Sequence, residues 1–271
     1  ASDTAVTIDK RSVTLTALEI SKQYDGNALH ETTGADLAAL SAQLIGGDRI
    51  SSAVLSYDDK NAGSGKTVAI DAVTLDDGNN GNNYSVTLAT NTAGKITKAP
   101  LTIMAVDDAV FVTQAGTDHL EDGSYSYGGV VYQGFVGGEN EDTAGVFSQV
   151  GSVRRDNIDV VEARETSYEN VLIAEDWTAN NYDISHQPGD FTIIPADVLL
   201  IKAPSLEVSY GDDLPEFSGI TAKYLDSADN TISSLAPVYD GASALYQVDD
   251  SAGTTVEFGF AIVDAPLSSA G

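Results

Sequence analysis

One phrase recurs along this chain and limits what it can fold into. It reads Asn82-Asn83-Tyr84-Ser85-Val86-Thr87-Leu88, a short polar run, Gly94-Lys95-Ile96-Thr97, then Lys98-Ala99-Pro100 and Leu101-Thr102-Ile103. An Asn-rich turn opens an alternating strand, a glycine marks the next turn, a short strand closes the unit, and proline punctuates the joint to a new alternating strand. The phrase returns at Asn180-Asn181-Tyr182, Gly189-Asp190-Phe191-Thr192-Ile193-Ile194-Pro195-Ala196 and residues 198–201, and its second half stands at residues 6–17. Ile8, Ile96 and Ile193 recur at spacings of 88 (96 − 8) and 97 (193 − 96), so the repeat is a whole small domain and not a solenoid turn.

Read this way the chain is mostly β, a tandem of small β-sandwich-like domains in an elongated array. Residues 1–10 are the closing strand of a preceding module or a free N-terminal strand; 11–98 and 99–194 are two β domains; 195–271 is a third, divergent or incomplete one. Val13, Leu15 and Ala17 alternate with threonines as a half-buried strand does, and Tyr24-Asp25-Gly26-Asn27 supplies a turn. Leu37, Leu40 and Leu44 have helical spacing, which predicts one short crossover helix in residues 35–44. Strands are expected at 50–57 and 68–75, separated by a turn over 58–65. In the second domain Tyr127-Gly128-Gly129 repeats the Tyr-Gly turn, the strand from Tyr132 breaks at Gly137-Gly138, and a further strand falls at 158–161. Trp177, the single tryptophan, reads as a core or edge anchor. Strands at 245–248 and 255–263 are expected in the third domain.

The chain has no cysteine, so burial and strand pairing must hold every domain. A formal net charge of −28 repels phosphate backbones and anionic membrane surfaces, which argues against nucleic acid as a partner. No run of about 18 apolar residues offers membrane insertion, and the N-terminus shows no charged-then-apolar leader.

Candidate chemistry is sparse. Gly63-Ser64-Gly65-Lys66-Thr67 invites a phosphate-loop reading, but Lys60 stands where that motif needs its first glycine and a Thr/Val strand follows instead of a helix, so the stretch is expected to be a turn. The densest oxygen-donor loop is 76–83, where Asp76, Asp77, Asn79 and Asn82 form the candidate calcium ligands; Leu88 occupies the place of an EF-hand's bidentate glutamate. Such Asx-rich turns also form without metal by capping their own backbone. Asp212 with Asp213, and Asp226 with Asp229, are weaker candidates. No cofactor is expected and calcium is the one ion to test. His30, His119 and His186 lie apart and read as isolated surface histidines, no nucleophile elbow is present, and a carboxylate pair is expected by chance in a chain with 41 acidic residues. No catalytic residue and no enzyme activity are expected.

Lys22-Gln23-Tyr24-Asp25-Gly26, Gly46-Gly47-Asp48, the run from Tyr57 to Val68 and Asn82-Asn83-Tyr84, in this order, resemble the YDG domain of large bacterial exoproteins. Tyr132-Gln133-Gly134-Phe135-Val136-Gly137-Gly138-Glu139, Asn180-Asn181-Tyr182 and the Ile194-Pro195-Ala196 joint resemble the MBG ("mostly β, glycine-rich") repeat that often follows it. The resemblance implies filamentous-haemagglutinin-like surface adhesins: an extracellular stalk or spacer, on a bacterial cell surface or secreted, of a large adhesin or biofilm matrix protein. Its partners would be the neighbouring modules of the same protein. Two alternatives stand beside it. One is a glycan- or protein-binding module, calcium-dependent or not, that takes surface glycans or matrix polysaccharide. The other is a head-to-tail fibre, in which the N-terminal strand of one copy completes an open sheet edge of the next.

Overall fold

The computed structural model describes residues 8–114, 127–156, 166–203, 218–249 and 254–260. The strand expected at 158–161, residues 1–7 of the expected closing strand, the end of the strand expected at 255–263, His119, Asp212 and Asp213 lie outside the described residues. The chain is mostly β, with strands in several sheets and one described helix. It divides into two compact units, one drawn from residues 1–103, 132–151 and 176–186, the other from 104–131, 152–175 and 187–271.

Unit 1 opens with β1 (Arg11–Thr16), β2 (Ser21–Gln23), β3 (Leu29–His30), α1 (Gly34–Ser41), β4 (Arg49–Tyr57), β5 (Gly63–Asp76), β6 (Tyr84–Ala89), β7 (Asn91–Thr97) and β8 (Ala99–Ala105), whose last two residues belong to unit 2. β1 and β6 form a parallel two-stranded sheet with Leu15 opposite Leu88, and β2-β7-β5-β4-β3 form a mixed five-stranded sheet. The alternation of β8 is complete: Ala99, Leu101 and Ile103 are buried while Pro100 is exposed and Thr102 only half-buried. In β4 the buried Ile50 and Leu55 are five positions apart, which a regular strand would place on opposite faces. Register shifts against β5 at Ile50/Ser52 and Val54/Leu55 bring both to the core.

The helix is held at its start by a reciprocal cap. Asp36 N–H donates to Thr33 Oγ1 (3.2 Å) and Thr33 N–H to Asp36 Oδ2 (2.8 Å), and Leu40 is its fully buried residue. It is shorter than the span 35–44 suggests, because one turn of leucines has only Leu40 to anchor it. His30 is not an isolated surface histidine: its Nε2 lies 3.1 Å from Asp36 Oδ2 and braces that cap. The glycine-rich stretch at 63–67 is not a turn either. It is the start of β5, where Gly65, at φ +71°, makes a bulge against β7, and Lys66 folds into the protein to meet Asp59 (2.5 Å) and Asp58 (3.4 Å). No nucleotide phosphate can use an ammonium held in this way.

Unit 2 carries a four-stranded sheet in the order Ser152–Arg155, Thr166–Glu175, Gly189–Ile194, Asp108–Phe111, the last pair parallel. Phe111, Val153, Leu172, Phe191 and Ile193 fill its core, and the Arg155 guanidinium lies 4.4 Å from the centre of the Phe191 ring. Two antiparallel three-stranded sheets follow, Leu199–Lys202 with Thr221–Leu225 and Ile232–Leu235, then Val238–Asp240 with Leu245–Asp249 and Thr255–Phe258. The strands at 221–225 and 232–235 are ones the sequence pattern leaves out. The first of them alternates only weakly, with Ala222 and Leu225 buried three apart.

Candidate functional site

The most organised polar site of the described residues lies inside unit 1, around one carboxylate. Glu139 closes a tight turn in which its N–H donates to the Val136 carbonyl (3.1 Å) while Gly137 and Gly138 take left-handed conformations at φ +64° and +74°. That geometry suits glycine because a Cβ there would strain against the backbone. The turn aims the Glu139 side chain, only 8% exposed, at two buried tyrosines. Tyr24 donates its hydroxyl to Oε1 (2.6 Å) and Tyr182 donates to Oε2 (2.7 Å), while Lys60 Nζ lies 3.0 Å from Oε1. The Tyr182 hydroxyl in turn accepts the N–H of Val136 (3.1 Å), and the two rings meet edge to face at 5.6 Å.

Burial opposes the charged form of Glu139, but the Tyr24 and Tyr182 hydroxyls and the Lys60 ammonium outweigh it and hold the carboxyl below its usual range. Tyr182 is pushed far up by burial and by the Glu139 carboxylate, and Tyr24 is raised for the same reasons. Both hydroxyls therefore stay protonated and donate.

The elements around this centre are drawn together from distant sequence. Tyr24 leaves β2 into the Tyr-Asp-Gly turn, which Lys22 ties from within by bonding Asp25 Oδ1 (2.8 Å) and the carbonyls of Asn27 (2.6 Å) and Leu29 (2.8 Å). The turn stacks on Gly137 so closely that a Cβ there would lie 2.7 Å from the Asp25 carbonyl oxygen and 3.0 Å from Gly26 Cα. Beside it, Asn181 Oδ1 accepts the N–H of Ala62 (2.9 Å), its Nδ2 donates to Asn61 Oδ1 (3.1 Å), and its carbonyl accepts the N–H of Ala99 (3.0 Å). Phe135, Phe147 and Tyr132 extend the ring cluster from Tyr182.

The same turn occurs a second time. Leu44-Ile45-Gly46-Gly47-Asp48 precedes Phe135-Val136-Gly137-Gly138-Glu139 by 91 residues (139 − 48). Asp48 N–H donates to the Ile45 carbonyl (3.2 Å), the glycines stand at φ +71° and +85°, and Tyr84 donates its hydroxyl to Asp48 Oδ2 (2.7 Å). Tyr84 and Tyr182 are the tyrosines of the two Asn-Asn-Tyr phrases. A turn of apolar residue, two glycines and an acid, closed by the tyrosine of a later Asn-Asn-Tyr turn, is thus a repeated structural device.

The residues proposed from sequence as calcium ligands sit elsewhere. Asp76 and Asn82 are exposed, and the 76–83 loop is folded around Asp77, whose Oδ1 accepts the N–H groups of Asn79 (2.8 Å) and Gly81 (2.7 Å) and whose Oδ2 accepts that of Asn83 (3.0 Å). Burial opposes ionisation, and these amide bonds hold the Asp77 carboxyl below its usual range. Asn79 spends its side-chain amide on Asn83 (2.9 Å) and Asn82 on the Asn79 carbonyl (3.0 Å). The described residues hold no group of three or more His, Cys, Asp or Glu able to bind a metal ion. Asp226 likewise caps its own loop, accepting Ala228 N–H (2.8 Å), and Asp229 accepts Thr231 N–H (2.9 Å). In unit 2, Asp108 and Lys202 pair with each other at 2.5 Å. Trp177 is buried, as an anchor should be, with the His186 ring at 6.2 Å.

Sequence reasoning missed the role of Glu139, Lys60 and Asp48. The signal was available, since both Gly-Gly-acid turns and both Asn-Asn-Tyr turns are plain in the sequence, but only their pairing in space gives them a common purpose.

Residues 9–93 match the model of the YDG domain, under half of the chain. The matched span holds Tyr24, Gly46-Gly47-Asp48, Lys60 and Tyr84, which is one complete turn and one half of the Glu139 centre. No curated protein and no solved structure matches the chain.

Proposed function

We propose that this chain is a structural spacer: a stalk segment of a large secreted or surface-held bacterial adhesin or biofilm matrix protein, built from a YDG domain followed by MBG-type domains in an elongated array. The observation that carries this reading is the Glu139 centre. Its carboxylate is spent on holding protein to protein: Tyr24 and Lys60 take Oε1 and Tyr182 takes Oε2. A buried carboxylate satisfied by two tyrosines and a lysine resists shear in a way that an exposed ion pair does not. The joint beside it has little slack, since only Lys98 separates β7 from β8, Pro100 limits φ, and Lys98 Nζ is itself bound to the Ala179 carbonyl (2.9 Å). The surplus of carboxylates keeps such a chain soluble and apart from its copies.

Small-angle scattering of the whole chain tests the shape. An elongated spacer gives a radius of gyration well above the ~18 Å of a compact globule of this length, and a value near that figure would sink the reading. Antibody labelling of intact producing cells tests the location.

A further inference from the structure

We propose that the turn of residues 45–48 is a docking site for the Tyr-Asp-Gly turn of another module of this kind. The inference rests on the proposed reading of the Glu139 centre as a structural lock, and extends it to a second, open copy of the same turn.

The two Gly-Gly-acid turns match in backbone and in their tyrosine partner, yet they differ in what lies against them. At 137–139 the Tyr24-Asp25-Gly26 turn lies against the first glycine, Gly137, and Tyr24 and Lys60 take the remaining carboxylate oxygen, Oε1. At 46–48 a Cβ built on either glycine meets no described atom within 4 Å. Among the described residues Asp48 Oδ2 takes the Tyr84 hydroxyl, while Oδ1 accepts no hydrogen bond. Ile45, the counterpart of the half-buried Val136, is 49% exposed. An open cavity of about 510 Å³, lined by Gly34, Leu37, Ala38, Ser41, Gly47 and Asp48, lies beside the turn and has room for a tyrosine side chain.

The occupant is defined by what the occupied copy accepts. It must bring a flat Tyr-Asp-Gly backbone to lie on the first glycine, Gly46, a tyrosine hydroxyl to donate to the open carboxylate oxygen, and a lysine to balance the charge. A second copy of this chain does not offer its own Tyr24 turn, because Glu139 already holds it; the fitting partner is the Tyr-Asp-Gly turn of a different module. Such a turn needs little outside help to keep its shape. Lys22, Asp25 and Asn27 organise it internally, with Asp25 Oδ1 accepting Asn27 N–H (2.9 Å) and Asn27 Oδ1 accepting Leu29 N–H (2.9 Å).

A ten-residue peptide with the sequence of residues 21–30 is therefore the probe, titrated into the full chain while the backbone amide resonances are followed. The expected result is a saturable shift of the Gly46, Gly47 and Asp48 amides. Replacing the peptide's tyrosine by alanine should weaken it by about tenfold or more, because an anchor that fills a pocket dominates a small interface. Asp48→Asn in the chain, which still accepts the Tyr84 hydroxyl, should weaken it too. The same peptide is added to a Tyr24→Ala chain, where it should move Gly137, Gly138 and Glu139 as well. Movement there without movement at Gly46, Gly47 and Asp48 overturns the docking site and spares the Glu139 lock. Movement at neither place overturns both.

Discussion

Glu139→Ala should destabilise unit 1 by about 2–4 kcal/mol. The change strands two hydroxyl donors that are 2% and 1% exposed at the residue level, Tyr24 and Tyr182. Leaving a buried polar group unsatisfied costs roughly 1–3 kcal/mol each. Tyr182 falls at the low end because its oxygen still accepts the Val136 N–H. Lys60, about half exposed at its side chain, returns to water at almost no cost. A loss of this size lowers Tm by roughly 10 °C in a folding unit of this size. Trp177 is the only tryptophan, is buried and belongs to unit 1, so its fluorescence during urea unfolding reports that unit directly. Tyr24→Phe alone should cost about 1–2 kcal/mol, since Glu139 keeps Tyr182 and Lys60. The double variant should cost less than the sum by about 1 kcal/mol or more, because both changes break one bond. A loss below about 1 kcal/mol for Glu139→Ala, or strict additivity, would refute the idea that the carboxylate ties the unit together.

Three further expectations follow from the same geometry. Because the Glu139 carboxyl is held below its usual range in the fold, its contribution is complete above the unfolded value near pH ~4.3 and fades as pH falls through the lower folded value; the gap in urea midpoint between wild type and Glu139→Gln should narrow steadily as pH falls below ~4.3, and a gap that stays constant as pH falls would contradict the assignment. Gly137→Ala should destabilise by about 1–3 kcal/mol through its left-handed backbone and its contact with the Asp25 carbonyl, whereas alanine at Gly138, which has the same backbone sign but nothing described within 4 Å, should cost only the conformational part; equal urea midpoints for the two would remove the close approach from the account. Calcium at about 5 mM should leave Tm unchanged, since ligation would require Asp77 to release three backbone amides, and a rise that Asp77→Asn abolished would make the 76–83 loop a metal site after all.

Much of unit 1 could be read before its structure. The alternation at Val13, Leu15 and Ala17, the strand following Asn82-Asn83-Tyr84, and the unbroken period of Leu101, Ile103 and Ala105 all report one buried face, and local pattern is enough for that. What local pattern cannot report is a bulge. Gly65 looks like a turn glycine in a run with Gly63, yet it lies inside a strand because β7 supplies a partner about 30 positions away. Asp77 is a similar case. Its neighbours have the composition of a cation loop, but the amides of Asn79, Gly81 and Asn83 reach it first, and backbone donors at fixed short range compete well with an ion in solution. Glu139 was illegible for a different reason. Its partners lie 115, 79 and 43 positions away, so no window of sequence contains the site.

The repeated turn also explains why tyrosine and not phenylalanine stands in both phrases. A Gly-Gly-acid turn does not cap its own carboxylate with the acid's N–H, which is spent on the Ile45 or Val136 carbonyl. The carboxylate must then be solvated or met by donors from another element. A tyrosine from the Asn-Asn-Tyr turn brings a ring to exclude water and a hydroxyl to replace it, and one oxygen is satisfied within the repeat by Tyr84 at Asp48 or Tyr182 at Glu139. The second oxygen is left for donors from elsewhere in the unit, and at Glu139 those are Tyr24, from the Tyr-Asp-Gly turn, and Lys60. Tyr182→Phe should therefore weaken the Glu139 turn itself, while Tyr24→Phe should weaken mainly the hold of the Tyr-Asp-Gly turn on it. Amide exchange separates the two: the first variant should speed exchange at Glu139, and the second should speed it at Tyr24 while leaving Glu139 nearly as protected as before. Equal effects at both places would mean that the carboxylate does not divide its two oxygens between the Asn-Asn-Tyr and Tyr-Asp-Gly turns.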